Sequence, residues 1–231
     1  MAVYSDGHKW CFACGFYVPS NGVVDIANLR LKLEQRRKEN GIVISLPGDF
    51  THIIPEKPRQ WLKKYGLTEH EIQTNKIGWS GTFNRLIYPV YDHYGNLLMY
   101  QGRLFETIEG SKRARFHTQG RPEKVDAYFG VNWENNLHDS VCVVEDVISA
   151  IKVSRVCPAL PLWGSELSLS RIIRIAEIFK NLIIWLDHDK ASYQARCEIK
   201  ARPFFDHVSG LYTIQDPKAH GTEELKKCLI L

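Results

Sequence analysis

The sequence predicts an α/β architecture over residues 136–231, a parallel-rich sheet with helices on both faces, preceded by a smaller mixed α+β region. Two observations carry this. Short apolar runs at Val141–Val144, Ala159–Leu162 and Leu182–Leu186 alternate with amphipathic helical stretches, as strands buried on both faces require. Chemistry-bearing residues also follow the strands directly: Glu145, Gly164 and Asp187, with Asp216 after the last one. In open parallel sheets the working residues lie beyond the carboxyl ends of the strands.

The elements follow in order. Residues 1–20 read as a short knuckle holding His8, Cys11 and Cys14, and 21–45 as a charged connector with EQRRKENG at 34–41. Residues 46–135 read as a mixed, basic subdomain. There Pro58–Leu62 opens a helix, Gly66 turns the chain, and Thr68 caps a second helix. Arg85–Tyr91 and Leu97–Phe105 make a hairpin reversing at Tyr94-Gly95-Asn96, and Arg115–Thr118 adds a further strand. From residue 136 the expected helices are Asp146–Val153, Leu169–Lys180, Ser192–Phe205 and Thr222–Leu229, with a last strand at Gly210–Ile214.

The composition is that of a globular protein, 44% hydrophobic and 24% charged over 231 residues. No apolar window of about 18 residues exists, so no membrane span is expected. The start, MAVYSDGHKWC, lacks a basic and apolar leader, and the expected location is the cytoplasm, with the six cysteines reduced. The net charge of +4 is mild, but its distribution is uneven. Basic runs at 30–38, 57–64 and 112–115 precede residue 125, whereas the carboxylates of interest follow residue 140. Such a division suits an enzyme that holds a polyanion while coordinating metal. There is no Gly-x4-Gly-Lys-Ser/Thr loop, which excludes a P-loop motor.

Glu145 follows one apolar strand, and Asp187 and Asp189 follow another. On strand-like backbone an Asp-x-Asp turns both carboxylates to one side. With Glu145 beside them, three negative charges would share a small volume, which a cation must neutralise. Mg2+, or Mn2+, is the expected occupant, bound by carboxylates, waters and substrate phosphates.

The run VVEDVISAIKVSRV…ALPLWGSELS…NLIIWLDHDKA resembles the Toprim domain shared by bacterial-type primases, topoisomerases and some nucleases. The resemblance implies metal binding and catalysis by Glu145, Asp187 and Asp189. One departure stands out: many members carry Gly after the Glu and an Asp a few residues later, where this chain has Asp146, Val147, Ile148 and Ser149. Asp216, in Asp216-Pro217-Lys218, resembles the family's last strand end and is assigned to the metal side, with a turn cap as its other reading. His188, Trp163 and Trp185 read as structural; His117 and Lys218 receive no role.

The upstream block, Trp61-Leu62…Gly66-Leu67-Thr68…Lys76-Ile77-Gly78-Trp79 and Arg85–Tyr91…Tyr100-Gln101-Gly102-Arg103, resembles the start of a bacterial or bacteriophage DNA primase core, which topoisomerases lack. Asp126-Ala127-Tyr128-Phe129-Gly130 resembles the lead-in to its Toprim strand. The implied activity is synthesis of short RNA primers on a single-stranded DNA template from nucleoside triphosphates, beside a separate replicative helicase. By position, Arg103, Lys112, Arg113 and Arg115 are assigned to phosphate contact near Tyr100 and Phe116, and Lys76 to similar work. Ser5–Gly15 resembles the second half of the primase zinc ribbon. Cys11 and Cys14, with His8 as a candidate third ligand, supply fewer than the four ligands structural Zn2+ needs, so an incomplete site is expected, through degeneracy or a misplaced start. A Toprim nuclease and a non-catalytic accessory binding single-stranded DNA are the rival readings.

Overall fold

The computed structural model describes residues 2–3, 7–10, 17–18, 44–92, 94–105, 114–121, 125–131 and 138–229. Cys11, Cys14, Lys112 and Arg113 lie outside the described residues. Near the N-terminus, β1 (Ala2–Val3), β2 (Lys9–Trp10) and β3 (Tyr17–Val18) pair antiparallel in that order. Among the described residues no helix is long and apolar enough to cross a membrane.

Two short helices open the basic subdomain. In α1 (Glu56–Lys64), Glu56 in the first turn and Lys63 and Lys64 in the last complement the helix dipole, and Leu62 is buried. α2 (Glu69–Thr74) begins with the capping box foreseen at Thr68, whose hydroxyl accepts from the Glu71 amide while the Glu71 carboxylate accepts from the Thr68 amide. The antiparallel sheet follows in the order β4 (Gly78–Ser80), β5 (Arg85–Tyr91), β6 (Leu97–Leu104) and β7 (Phe116–Gln119). Buried Arg85 donates to the carbonyls of Gly102, Ala114 and Arg115 at 3.0, 2.7 and 3.1 Å, which holds the entry to β7 against the hairpin.

The other four-stranded sheet is parallel throughout, ordered β11 (His207–Gly210), β10 (Asn181–Trp185), β8 (Ser140–Val144) and β9 (Ala159–Pro161). Side-chain alternation assigns its faces. Val141, Val143, Leu182 and Ile184 pack with α4 (Leu169–Ala176) and α5 (Ala191–Ala201). Cys142, Val144, Ile183 and Trp185 pack with α3 (Val147–Val153) and α6 (Thr222–Leu229). Helices on both faces are what the sequence predicts. Its last strand is displaced, though: pairing of Asn181 with His207 through Ile184 with Gly210 places β11 before the Gly210–Ile214 run. That run leaves the sheet edge, with Tyr212 56% and Ile214 87% exposed. α5 ends early because Pro203 cannot continue it.

The two sheets share a core through α3. Every residue of α3 is buried; Val147, Ile148 and Ile151 face Leu62, Ile72, Leu86 and Met99, while Ala150 and Val153 face the parallel sheet. Polar bonds fasten the junction. Arg155 grips both oxygens of Glu71 at 2.7 and 2.8 Å, and Gln101 donates to the Trp163 carbonyl at 3.0 Å. Phe129 exchanges backbone bonds with Ala159, and Gly130 follows at φ +76°. A Cβ on Gly130 would stand 2.8 Å from the Ser154 carbonyl oxygen. Gly130→Ala is therefore expected to cost about 1–3 kcal/mol, read as a lowered urea midpoint at constant slope.

Candidate active site

β8 and β10 are adjacent and parallel, with Val144 opposite Trp185, so the chain delivers Glu145 and Asp187 to the same sheet edge. Beyond Glu145, Asp146 caps α3, its carboxylate accepting from the Ser149 amide at 2.9 Å. Beyond Asp187 the backbone does not stay extended but enters a 3-10 turn, His188–Lys190. The extended backbone expected through Asp189 is thus replaced by a turn, with the Asp187 side chain 20% exposed and that of Asp189 75%, while Asp189 still lies near enough to Glu145 to raise its carboxyl pKa.

A single 3-10 turn, Pro217–Ala219, directs Lys218 into the acids. Its Nζ lies 2.8 Å from Asp146 Oδ2, 2.9 Å from Asp216 Oδ2 and 3.2 Å from Asp187 Oδ2. Asp216 thus pairs with a lysine. Lys152, buried in α3, donates to the Lys218 carbonyl at 2.6 Å and holds the turn down. Burial alone would lower the Lys218 pKa, but the three aspartates more than offset it and hold the ammonium above its ordinary range.

Glu145 Oε2 and Asp187 Oδ1 are buried and accept no hydrogen bond. Burial raises Asp187 to about 6, Lys218 opposing and Glu145 reinforcing the shift. Burial likewise raises Glu145, with Asp189 and Asp146 reinforcing and Lys190 and Lys218 opposing. Buried carboxylate oxygens without donors are costly unless a cation meets them, and a pair of hard oxygen ligands suits Mg2+ or Mn2+. Among the described residues no three His, Cys, Asp or Glu side chains gather closely enough to hold a metal by themselves. Two carboxylates completed by water and phosphate are a donor set that Mg2+ or Mn2+ accepts.

Glu145 and Asp187 open into a cleft of about 180 Å³. Its other wall comes from the antiparallel sheet and α1: Trp61, Tyr65, Tyr88, Gln101, Arg103, Arg115 and Phe116. The Arg103 guanidinium lies 4.1 Å from the centre of the Trp61 ring and 5.5 Å from that of Phe116, and Arg115 lies 5.8 Å from Phe116. Such cation–ring contacts hold two guanidinium groups in the wall of the cleft. Lys76 does not line this cleft; its ammonium sits over Tyr91 at 4.2 Å, beside a separate groove of about 1150 Å³. His188 approaches the Thr213 carbonyl at 3.3 Å, and Trp163 and Trp185 are buried.

No protein-family model matches the chain, and no curated protein matches it. Solved structures do. The zinc-binding and RNA polymerase domains of Aquifex aeolicus primase align over 97% of this chain and 73% of that one, at 14% identity and a TM-score of 0.60. A DnaG primase catalytic domain bound to ssDNA aligns over 88% and 79%, at 16% identity and 0.58. The primase fragment of the bacteriophage T7 primase-helicase protein aligns over 94% and 86%, at 17% identity and 0.52. The fold is that of a primase catalytic core.

Within this primase-core fold, sequence reading found the acids on the parallel sheet and the arginines on the antiparallel one, but missed Lys218. The signal available was its position, two residues after an acid beyond the last strand. It also left Asp146 and Trp61 without firm roles, although both line the cleft.

Proposed function

We propose that this chain is a DNA primase, making short RNA primers on single-stranded DNA by metal-dependent nucleotidyl transfer, with its parallel-sheet half acting as a Toprim domain. The observation that carries this reading is the cleft itself, which sets buried, unpartnered carboxylate oxygens against stacked arginines across a junction between two sheets. The primase-core fold supports it. Glu145 and Asp187, with Asp189 in the turn beside them, would hold a divalent ion, which when bound would neutralise triphosphate charge as the 3′-hydroxyl oxygen of the primer bonds the α-phosphorus and pyrophosphate leaves. Arg103 and Arg115 hold phosphates on the opposite wall. Trp61 and Phe116 keep the guanidinium of Arg103 in plane and exclude water from one of its faces. Lys218 keeps Asp146, Asp187 and Asp216 from repelling one another when no substrate is present. The template lies along the basic subdomain, and a replicative helicase is the expected partner.

The test supplies the full chain with single-stranded DNA, labelled nucleoside triphosphates and Mg2+. New labelled oligoribonucleotide is expected. Shortened DNA instead would favour a nuclease, and binding with neither product a non-catalytic accessory. Arg103→Ala is expected to weaken nucleotide or template binding about 10–100-fold, as befits loss of a charge-assisted contact, and to reduce the salt dependence of DNA binding by about one phosphate equivalent. Arg103→Lys recovers only part of this, because an ammonium lacks the flat stacking face. Fluorescence anisotropy across a salt series checks both.

A further inference from the structure

Lys218 is enclosed by acids rather than solvated. An ammonium has three protons to donate, and here three aspartates stand within ion-pair distance of it: Asp146 at 2.8 Å, Asp216 at 2.9 Å and Asp187 at 3.2 Å. The side chain is 17% exposed, and its backbone is pinned by Pro217, by the Lys152 bond to its carbonyl and by the turn that Asp216 starts. Asp187 divides its two oxygens. Oδ2 meets Lys218, while Oδ1 is buried without a partner, as is Glu145 Oε2. A carboxylate that bridges in this way has one oxygen on each of two neighbouring cation positions, the arrangement by which two-metal phosphoryl-transfer sites hold their ions about 4 Å apart.

We infer that Lys218 permanently fills one of two adjoining cation positions, so that the site takes a single divalent ion, between Glu145 and Asp187. The inference rests on the metal-binding reading given under Proposed function and goes beyond it, because it sets the stoichiometry and names the residue that sets it. A tethered ammonium neutralises charge as an ion would, but it does not leave with product and needs no free cation to be recruited.

The decisive measurement is the number of Mn2+ ions bound per full-length chain, read from the loss of the free-ion EPR signal during titration, with thermal melting alongside. One ion is expected for the wild type and for K218R, which keeps the charge. K218M, which removes it, is expected to melt lower without metal, to recover on adding Mn2+, and to bind two ions. Two ions in the wild type would overturn the inference while leaving the metal site intact. One ion in K218M, with a melting response to Mn2+ equal to that of the wild type, would overturn it too. No ion in any of the proteins would remove both the inference and the reading beneath it. Should K218M not fold, the wild-type and K218R counts still decide the matter.

Discussion

Asp187→Asn is expected to eliminate primer synthesis while leaving the metal-free protein at least as stable as the wild type. The loss of activity should exceed about 100-fold, since even groups that merely orient metal ligands cost 10–100-fold when removed. The stability follows from the sign of the pKa shift. Asp187 titrates at about 6 in the folded chain, with burial as the main cause, against about 3.9 for an unperturbed aspartate. A folded-state pKa above the unfolded one means that folding favours the protonated form. The stabilisation is fully present below about pH 4 and is lost as pH rises through 6. At pH 7.5 the charged side chain therefore strains the metal-free fold, and the neutral amide relieves the strain while keeping an oxygen for Lys218. Mn2+ or Mg2+ at one hundred times its Kd should raise wild-type stability by about 2.7 kcal/mol and Asp187→Asn by nothing measurable. A variant that melts well below the wild type without metal, or still responds to metal, would contradict the assignment of Asp187 Oδ1 to the ion.

Arg171→Ala is expected to be the most damaging single change outside the cleft, by about 3–5 kcal/mol. Arg171 is wholly buried, where burial lowers its pKa to about 10. Its guanidinium donates to the carbonyls of Pro161 at 2.7 Å, Val125 at 3.3 Å and Leu162 at 3.4 Å, and to the Ser165 hydroxyl at 3.2 Å. These acceptors belong to the chain leaving β9 and to the lead-in segment beside it, so one side chain ties the segment before the parallel sheet to the loop that follows its edge strand. Asp126 stands 3.9 Å from its Nε and is gripped as well by Arg174. Alanine would leave several buried carbonyls unpaired around a cavity. Arg171→Met, which refills the volume but not the bonds, should recover less than half of the loss. Urea unfolding of the two variants separates packing from hydrogen bonding, and a cost under about 0.5 kcal/mol for Arg171→Met would show that the bonds contribute little.

The parallel sheet was readable because each of its central strands is apolar on both faces and is followed at once by a polar residue. Val141–Val144 and Leu182–Leu186 needed no partner to declare themselves. β11 is an edge strand of mixed character, His-Val-Ser-Gly, and the more apolar run after it drew the expectation three residues downstream. The capping box at Thr68 and the turn at Tyr94-Gly95-Asn96 were readable because their chemistry is complete within a few residues. The Asp-x-Asp was readable only in part, because its spacing implies a shared side only on extended backbone, and the structure has a 3-10 turn at His188–Lys190 instead.

By itself, then, the chain determined the order of its elements, the faces of its central strands and the sheet edge from which Glu145 and Asp187 emerge, because all of these depend on residues close together in sequence. Only the tertiary structure decided which acids face the cleft, that Arg103 stacks on Trp61, and that Lys218 stands among aspartates 72 and 31 residues away. Charge pairing across such separations has no periodicity to betray it. It exists only once the buried α3 helix has drawn the two sheets together and closed the space in which those charges must find one another.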